Sequence, residues 1–472
     1  MLIDCGIHSS ITGGTDKIRG IVDDIASLTK GKIDVLVLTH EHWDHNSGFL
    51  AANDKFKEFN VGEIWLGWTE NPADPQAREF DKFKGQALAA LQGAGQRLAK
   101  SQGLSAHLSN VQRGLQSVIG FNFGAKGEKV RDARNAAVGL VKNKDNVKYF
   151  EPKTAPFTLP VVPNVRVYVL GPPRDTAMFG ITERPSEMYG MGASAGWPMA
   201  NALNNAFAMD ERELVQGEDI TAPFDPNEGF DLSSFLTAGS KPPTEGTERE
   251  RYDQIAAFIR EHYTGTVAAK DTPAPASSPK TPGGGAADQS WRRIDGDWLG
   301  VSADLAIQLD NRTNNSSLVL AFEFVDSERV MLFVGDAQVG NWLSWKDVKW
   351  VDGTKTVTAH DLLARTVFYK VGHHGSDNAT LKQNGLELMT SPDLSAFIPT
   401  NEKDALKVKW GAMPFKPILD DLEKRATHRV IRADDIWIGQ ATGQPGFQTP
   451  SGAIQGLRHD DKNGLWVELD IG

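Results

Sequence analysis

The chain has 472 residues, of which 40% are hydrophobic and 24% are charged, an ordinary balance for a folded globular protein. It contains no apolar stretch long enough to span a bilayer, and its N-terminus lacks the basic-then-apolar pattern of a signal peptide. The formal charge of −11 argues against a basic face that would grip long nucleic acid, and it favours a small or locally recognised substrate.

Strands and helices alternate in the first 70 residues. The predicted elements are a strand at 1–5, a helix near 16–30, a strand at 33–38, a helix from about Ser47 and a strand at 63–68. This alternation indicates a layered α/β fold. Because the chain begins directly in a strand, either a preceding segment or another element is expected to cover that sheet edge, since open edges invite association. We favour a preceding segment. The single cysteine, Cys5, excludes an internal disulfide and fits a reducing cytoplasm, which is the location we expect.

The middle of the chain is predicted to consist of insertions. Residues 76–143 are rich in Ala, Leu, Gln and Lys with an apolar spacing near 3.6, which predicts a helical insertion. A strand at 165–170 is followed by an irregular insertion at 175–265, which ends in a predicted helix within 248–263. Residues 266–290, rich in Pro, Ser and Gly, cannot bury a core and are predicted to form a flexible linker.

The last part of the chain, 291–472, returns to strands and helices. The predicted elements are strands at 316–325 and 329–335, a short helix at 338–346, a strand at 367–371, a helix from about Asn378, a strand at 394–399, a helix near 417–424 and strands at 428–432 and 464–471. Asp377 or Asn378 is expected either to cap its helix or to mark an anion-binding helix end. We expect this half to join residues 1–70 in a single domain that spans 1–472.

The densest group of metal-ligand residues follows the strand at 33–38. It contains His40, His42, Asp44 and His45 within six positions. In an extended stretch His40 and His42 point to the same side, and a turn after them can bring Asp44 and His45 to the same point. Neutral imidazoles are good ligands for zinc, iron or manganese, so the cluster predicts a metal site at the end of the strand.

Two further strand ends carry residues of the same kind. Asp336 follows an apolar strand, where a buried carboxylate is costly unless cations offset it; the alternative is a simple turn aspartate after Gly335. His373 and His374 follow the strand at 367–371. In extended backbone they would point to opposite sides, so one is expected to be a ligand and the other structural or in contact with substrate.

The run from His40 to His45 resembles the HxHxDH signature of the metallo-β-lactamase-fold hydrolases. Other segments resemble that family in the expected order, namely 1–6, 330–337 and 368–376. The HHGS form at 373–376, with 314–320 ahead of 335–337, is most similar to the hydrolase domain of bacterial competence DNA-uptake channels. The resemblance covers 1–68, about 165–171 and 314–400, and its first motif is the most specific part.

The resemblance implies an αββα sandwich with a metal site at the strand ends. The implied ligands are His40 and His42 for a first metal, Asp44, His45 and His373 for a second, and Asp336 as the bridge. Zinc is the expected metal, as one or two ions, with manganese or iron as alternatives. Dinuclear members carry one more histidine, at a place where this chain has no histidine between Leu170 and Asp175. We therefore expect solvent, rather than Asp175 or His8, to complete the first metal.

The function implied by this site is hydrolysis by metal-activated hydroxide, with a phosphodiester as the preferred substrate class. The expected catalytic residues are Asp44, which orients the nucleophile, Asp336, which bridges the metals, and His374, which contacts a phosphate or carboxylate of the substrate. A thioester, lactone or β-lactam hydrolase is the enzymatic alternative. A binding or scaffold protein with structural metals is the alternative of a different class. The expected partners are a small-molecule or nucleic-acid phosphodiester and a protein bound through the insertions, with no membrane association.

Overall fold

The computed structural model describes residues 1–8, 11–100, 109, 111–116, 119, 129–181, 245–263, 301–352, 355–407, 413–434, 447, 449, 451–460 and 462–472. The chain forms two compact units. The first contains Met1–Leu88, Ser117–Gly196 and Asp304–Gly472, and the second contains Ala89–Gln116 and Trp197–Ala303. The predicted linker 266–290 and residues 182–244 of the irregular insertion lie outside the described residues. Within the described ranges, no helix is both long and apolar enough to cross a membrane.

Helices occur throughout the described residues. They comprise α1 (Gly14–Thr29), α2 (Trp43–Asn46), α3 (Gly48–Ala51), α4 (Asn53–Phe56), α5 (Pro75–Lys100), α6 (Lys129–Val138), α7 (Thr247–Tyr263), α8 (Val301–Asn315), α9 (Val339–Ser344), α10 (Ala359–Ala364), α11 (Glu402–Lys407) and α12 (Lys416–Arg425). The second unit contains the end of α5 and all of α7, and its buried residues include Leu91, Leu98, Leu115 and Ala256.

The strands of the described chain belong to the first unit. They are β1 (Leu2–Ile3), β2 (Lys32–Val37), β3 (Asn60–Gly67), β4 (Val147–Phe150), β5 (Phe157–Leu159), β6 (Val162–Gly171), β7 (Val319–Phe324), β8 (Val330–Phe333), β9 (Lys349–Asp352), β10 (Lys355–Thr358), β11 (Thr366–Lys370), β12 (Ser395–Ile398), β13 (Val430–Arg432), β14 (Ile454–His459) and β15 (Val467–Ile471). Together with the helices they make a mixed α/β fold, which confirms the predicted class.

Two sheets carry the strand ends on which the candidate site is built. The first has the order β1-β2-β3-β4 with parallel pairings throughout, and the second has the order β13-β12-β11-β8-β7-β6-β5. In the second sheet β8, β11, β12 and β13 are parallel neighbours, whereas β5, β6, β7 and β8 pair antiparallel. The carboxyl ends of parallel strands meet at one edge of a sheet, so loops that follow β8 and β11 are brought together.

Apolar side chains pack on both faces of these sheets. One cluster joins the two sheets, with Val35, Val37 and Trp65 on one side and residues of β6 and β7 on the other. A second cluster packs α1 and the short helices α3 and α4 against the first sheet. A third packs α9, α10 and α12 against the second sheet, where Trp342, Trp345 and Tyr369 are fully buried. Each strand end is therefore held by a packed core.

The observed elements differ from the predicted ones in several places. The strand predicted at 1–5 ends after Ile3, because Asp4 adopts a left-handed backbone with φ 55°. The helix predicted from Ser47 is divided into α3 and α4. The helix α8 was not predicted at all, although its buried residues Leu305, Ala306 and Leu309 recur at helical spacing.

The helix predicted from about Asn378 is wrong, because the segment forms turns there. Thr380 and Leu381 are both fully buried, and the Thr380 hydroxyl lies 2.7 Å from the Tyr369 hydroxyl. Asn378 caps no helix; its Oδ1 accepts a hydrogen bond from Ser376 Oγ instead.

Candidate metal centre

The histidine-rich loop between β2 and α2 is fixed by its own backbone contacts. The Asn46 side-chain Nδ2 donates to the carbonyl oxygens of His40 at 2.6 Å and of His42 at 3.1 Å. Residue His42 is extended, and the helix α2 begins directly after it. A Cβ at Gly6 would lie 2.0 Å from the Asp44 carbonyl oxygen, so only glycine lets the first strand's loop approach this turn. The loop therefore changes from extended to helical between its two pairs of ligand-type residues, as the sequence predicted.

His40 and His42 form one side of the candidate site. Their rings meet edge to face, with 3.0 Å between His40 Nε2 and His42 Nδ1. The other nitrogen of His40, Nδ1, lies 3.0 Å from the Thr39 hydroxyl. That hydroxyl donates to Asp4 Oδ2, and Asp4 Oδ1 accepts the Thr39 N–H. The left-handed backbone of Asp4 thus turns its carboxylate toward the residues that orient the first histidine.

Asp44, His45 and His374 form the other side, around the carboxylate of Asp336. His45 Nε2 lies 3.2 Å from Asp336 Oδ2, while its Nδ1 lies 2.7 Å from Asp4 Oδ2. His374 Nε2 lies 3.0 Å from Asp44 Oδ2 and 3.7 Å from Asp336 Oδ2. Two groups of ligand-type atoms result, one of His40, His45 and Asp336 and one of Asp44, Asp336 and His374. Asp336 is the residue common to both.

Asp336 reaches this position through the turn after β8. Gly335 has φ 56°, and a Cβ there would lie 2.9 Å from the Cβ of Thr39. The Asp336 N–H donates to Ser317 Oγ at 3.0 Å, and Asp336 Oδ1 accepts the N–H of His373 at 2.9 Å. One carboxylate oxygen is therefore engaged with the loop after β11, which leaves Oδ2 directed at the histidines.

The structure assigns the two consecutive histidines opposite places from those predicted. The prediction of His373 as the ligand assumed extended backbone, but His373 and His374 have φ of 40° and 56°, both left-handed. His374 therefore lies with Asp44 and Asp336. The ring of His373 contacts Asn378 and Ser376 through Nδ1, at 2.9 Å and 2.6 Å. It is His374 that belongs to the candidate metal group, and His373 is a neighbour that supports the loop.

The histidines of the site differ in their ionisation. Burial, together with repulsion from His45, lowers the pKa of His40 to about 3. Burial and repulsion from His40 lower the pKa of His42 well below its ordinary value. Burial also opposes a charge on His45, but Asp336, Asp44 and Asp4 outweigh it and raise that pKa well above the usual range. His40 and His42 are therefore neutral, as metal ligands must be, whereas His45 holds a proton where a bound cation would balance the same carboxylates.

The two central carboxylates are ionised in spite of their surroundings. Burial tends to raise the pKa of Asp44, but His45 and His374 lower it below its ordinary value. The pKa of Asp336 is likewise lowered, because His45 outweighs the effect of burial. Asp44 Oδ1 is buried without a hydrogen-bond partner among the described residues. A buried, unpaired carboxylate oxygen is costly, and a bound cation would satisfy it.

Asp310, which the sequence prediction did not include, lies beside this cluster. It belongs to α8, and its Oδ1 is 3.8 Å from His42 Nε2. Burial, with Asp44 and Asp336 adding to it, raises the pKa of Asp310 to about 8. Four residues further along the same helix, Asn314 Nδ2 lies 3.3 Å from His373 Nε2.

A buried group of charges supports the histidine loop from behind. Glu41, between the first two histidines, pairs with Lys84 of α5 at 2.5 Å, and Lys84 also contacts Glu70 at 3.3 Å. Arg134 of α6 contacts Glu70 at 2.6 Å and Glu41 at 3.3 Å. Lys84 and Glu41 are only 2% and 3% exposed. Both cations come from the region predicted as a helical insertion, so that region contacts the metal-ligand loop directly.

The two alternative donors for the first metal do not join it. Asp175 is exposed and accepts a hydrogen bond from the Ala177 N–H at 3.0 Å. His8 lines a cavity with Asp44 and His374 but belongs to neither group of ligand-type atoms.

A cavity of about 720 Å³ opens beside the second side of the site. Asp44, Asp336 and His374 lie in its wall, together with Lys370. Its apolar lining includes Phe333, Phe368 and Phe397. The cavity is large enough for a small organic molecule and combines an apolar wall with two lysines, Lys17 and Lys370, and a cluster of ligand-type residues.

No family model, curated protein or solved structure matches this chain. The chemistry of the site is therefore inferred from its own geometry.

Proposed function

We propose that the chain is a metal-dependent hydrolase with a metallo-β-lactamase-like αββα sandwich. The proposal depends on the position of Asp336, whose carboxylate is common to both groups of ligand-type atoms. Its Oδ2 lies 3.2 Å from His45 Nε2 and 3.7 Å from His374 Nε2. The sandwich is supported by the apolar cluster that joins the two sheets and by the helices packed against their other faces. A cytoplasmic location remains our expectation, because the single thiol forms no internal disulfide.

The donor set suits one or two divalent cations of the zinc type. His40 and His45 would hold a first ion together with Asp336, and Asp44 and His374 would hold a second, again with Asp336. His42 Nδ1, 3.0 Å from His40 Nε2, stands beside the first group and could complete it. Imidazole and carboxylate are ligands of zinc, and they also suit manganese and iron. The neutral state of His40 and His42 and the unsatisfied Asp44 Oδ1 both fit such a role.

When bound, a divalent cation polarises the scissile group and lowers the pKa of water, and the protein residues supply position and charge around it. Asp44 faces both the cavity and His374, so it can orient an attacking water as well as hold metal. Lys370 in the same wall supplies a positive charge for an anionic substrate group. Asp4 orients His45 through Nδ1, which fixes the direction of its other nitrogen.

A small phosphodiester is the substrate class that we favour. Lys370 can pair with a phosphate, and the three phenylalanines of the cavity suit an aromatic or apolar ester group. The net charge of −11 disfavours a long polyanion. The same phenylalanines also favour the second candidate, an ester, thioester or lactone with an apolar chain, for which Lys370 would be less important.

The test is a substrate panel measured on metal-loaded protein. The panel contains an aryl phosphodiester, a dinucleotide, single-stranded DNA, an acyl thioester, a lactone and a β-lactam. We expect turnover of the small phosphodiesters. The rate of turnover should be lower by about 100-fold or more in Asp336→Asn. Asp326→Asn, which removes a carboxylate from an exposed position near β7, is the matched control and should keep wild-type rates. Full metal content without turnover of any compound would contradict the proposal and favour a scaffold with structural metals.

A further inference from the structure

The helix α8 presents two polar side chains to the two histidine-bearing loops. Asp310 Oδ1 lies 3.8 Å from His42 Nε2. One turn later, Asn314 Nδ2 lies 3.3 Å from His373 Nε2 and 3.3 Å from Asp310 Oδ2. The Asp310 side chain is 20% exposed, whereas His42 is 2% exposed. Both contacts are made within the first unit, since Asp304–Gly472 belongs to it.

The two nitrogens of His42 have different surroundings. Nδ1 lies 3.0 Å from His40 Nε2. Two nitrogens that bind one zinc ion at 2.0–2.1 Å, at an angle of about 90–110°, stand roughly 2.8–3.4 Å apart. The pair His40 Nε2 and His42 Nδ1 therefore has the spacing of two ligands of one ion. Nε2, on the other side of the imidazole ring, is the nitrogen that lies near Asp310.

We infer that Asp310 is a positioning residue, whose side-chain Oδ1 accepts the Nε2–H of His42 and thereby directs Nδ1 to the first metal. This inference rests on the proposed metal site. A metal-ligating histidine typically donates its other ring N–H to a carboxylate or carbonyl, which fixes its tautomer and raises its basicity. Asp4 stands in the same relation to His45, at 2.7 Å from Nδ1. Each side of the site would then have one histidine backed by an aspartate.

The separation of 3.8 Å is longer than a hydrogen bond, so the contact must shorten when His42 binds metal. A metal withdraws electron density from the ring and makes the opposite N–H a better donor, which favours a shorter contact. The hydrogen bond from Asn314 to Asp310 Oδ2 holds the carboxylate in place, so that Oδ1 faces the ring. Asp310 acts through His42 and need not contact the substrate.

The first experiment measures metal affinity in the full-length protein. Zinc and cobalt are titrated into metal-free wild type, Asp310→Asn and Asp310→Glu. We expect Asp310→Asn to weaken one of two binding events by 10–100-fold, with the second unchanged and with full stoichiometry at saturating metal. Asp310→Glu should restore part of the affinity, because it returns the carboxylate. Asp304→Asn, an exposed aspartate in the first turn of the same helix, is the matched control and should bind like wild type.

The second experiment does not depend on a variant that folds. Nitrogen NMR of ¹⁵N-histidine-labelled, zinc-loaded wild type should show His42 bound through Nδ1 and carrying its proton on Nε2. A proton on Nδ1 would overturn the inference.

Each result of the titration has one meaning. Equal affinity in wild type and Asp310→Asn overturns the positioning role and leaves the proposed metal site intact. Loss of one whole equivalent at saturating metal also overturns it, because Asp310 would then be a direct ligand. Wild-type protein that binds no metal overturns both the inference and the proposed function.

Discussion

Lys84 offers the sharpest test of whether the helical region supports the metal-ligand loop. The change Lys84→Met keeps a similar volume and removes the charge. Glu41 and Glu70 are then left with Arg134 alone, so two buried carboxylates share one cation. Removal of one partner from a buried ion pair typically costs about 3–5 kcal/mol, because the other charge stays buried without compensation.

We expect a loss of about 3 kcal/mol in the free energy of unfolding, near the lower limit, because Arg134 contacts both carboxylates. Such a loss is a large part of the roughly 5–15 kcal/mol of a typical domain. The measurement is urea denaturation of metal-free protein, followed by fluorescence. Lys82→Met, two residues away on the exposed face of α5, is the matched control and should change the free energy by less than about 0.5 kcal/mol.

The double variant Lys84→Met with Glu41→Gln separates charge from packing. If charge is the cause, the double variant should be more stable than the sum of the single changes predicts, by about 1–3 kcal/mol. A Lys84→Met protein whose free energy of unfolding lies within about 0.5 kcal/mol of wild type would refute the reasoning, because a buried carboxylate that loses its cation should destabilise the fold by more than that.

Three further predictions concern the site. His374→Ala should lose about one equivalent of metal, measured by elemental analysis after dialysis, whereas His373→Ala should keep it; the reverse result would restore the original prediction from sequence. Asp336→Asn should lower the content of both metals while the protein still folds, as judged by circular dichroism, because one carboxylate serves two cations. Burial opposes the ionisation of Glu70, but Lys84 and then Arg134 lower its pKa from 4.5 to about 2, so its contribution to stability is present above pH 4.5 and is lost as the pH falls toward 2. Glu70→Gln should therefore show a flatter decline in unfolding free energy between pH 5 and pH 2.5, and an unchanged slope would contradict the pKa shift.

The sequence predicted the elements whose pattern is local. The spacing of Ile18 and Val22 predicted α1, and the aliphatic run at 33–38 predicted the strand that delivers His40. The group His40, His42, Asp44 and His45 was recognisable because its members lie close together in the chain. These signals depend on neighbours within a few residues, which a sequence displays directly.

Features that depend on unusual backbone conformations or on residues remote in sequence were not predictable in the same way. The places of His373 and His374 are the reverse of those predicted because both residues have left-handed backbone, which no side-chain pattern in the sequence indicates. The turns after Ser376 place Thr380 and Leu381 in the core, where Thr380 contacts Tyr369, a partner on a neighbouring strand that the local sequence pattern does not indicate. Asp310 is remote in sequence from His42, so only the packing of α8 against the loop identifies it.

The separation of the two halves of the candidate site along the chain has a consequence for biosynthesis. The histidine loop ends at His45, and Asp336 follows about 300 residues later. At roughly 5–20 residues per second, a ribosome needs on the order of 15–60 seconds to travel between them. During that interval three histidines and Asp44 have left the ribosome without the carboxylate that joins the two groups. The full set of proposed ligands therefore exists only after His374 has also been synthesised, so an ion that arrives earlier could meet the histidine loop alone.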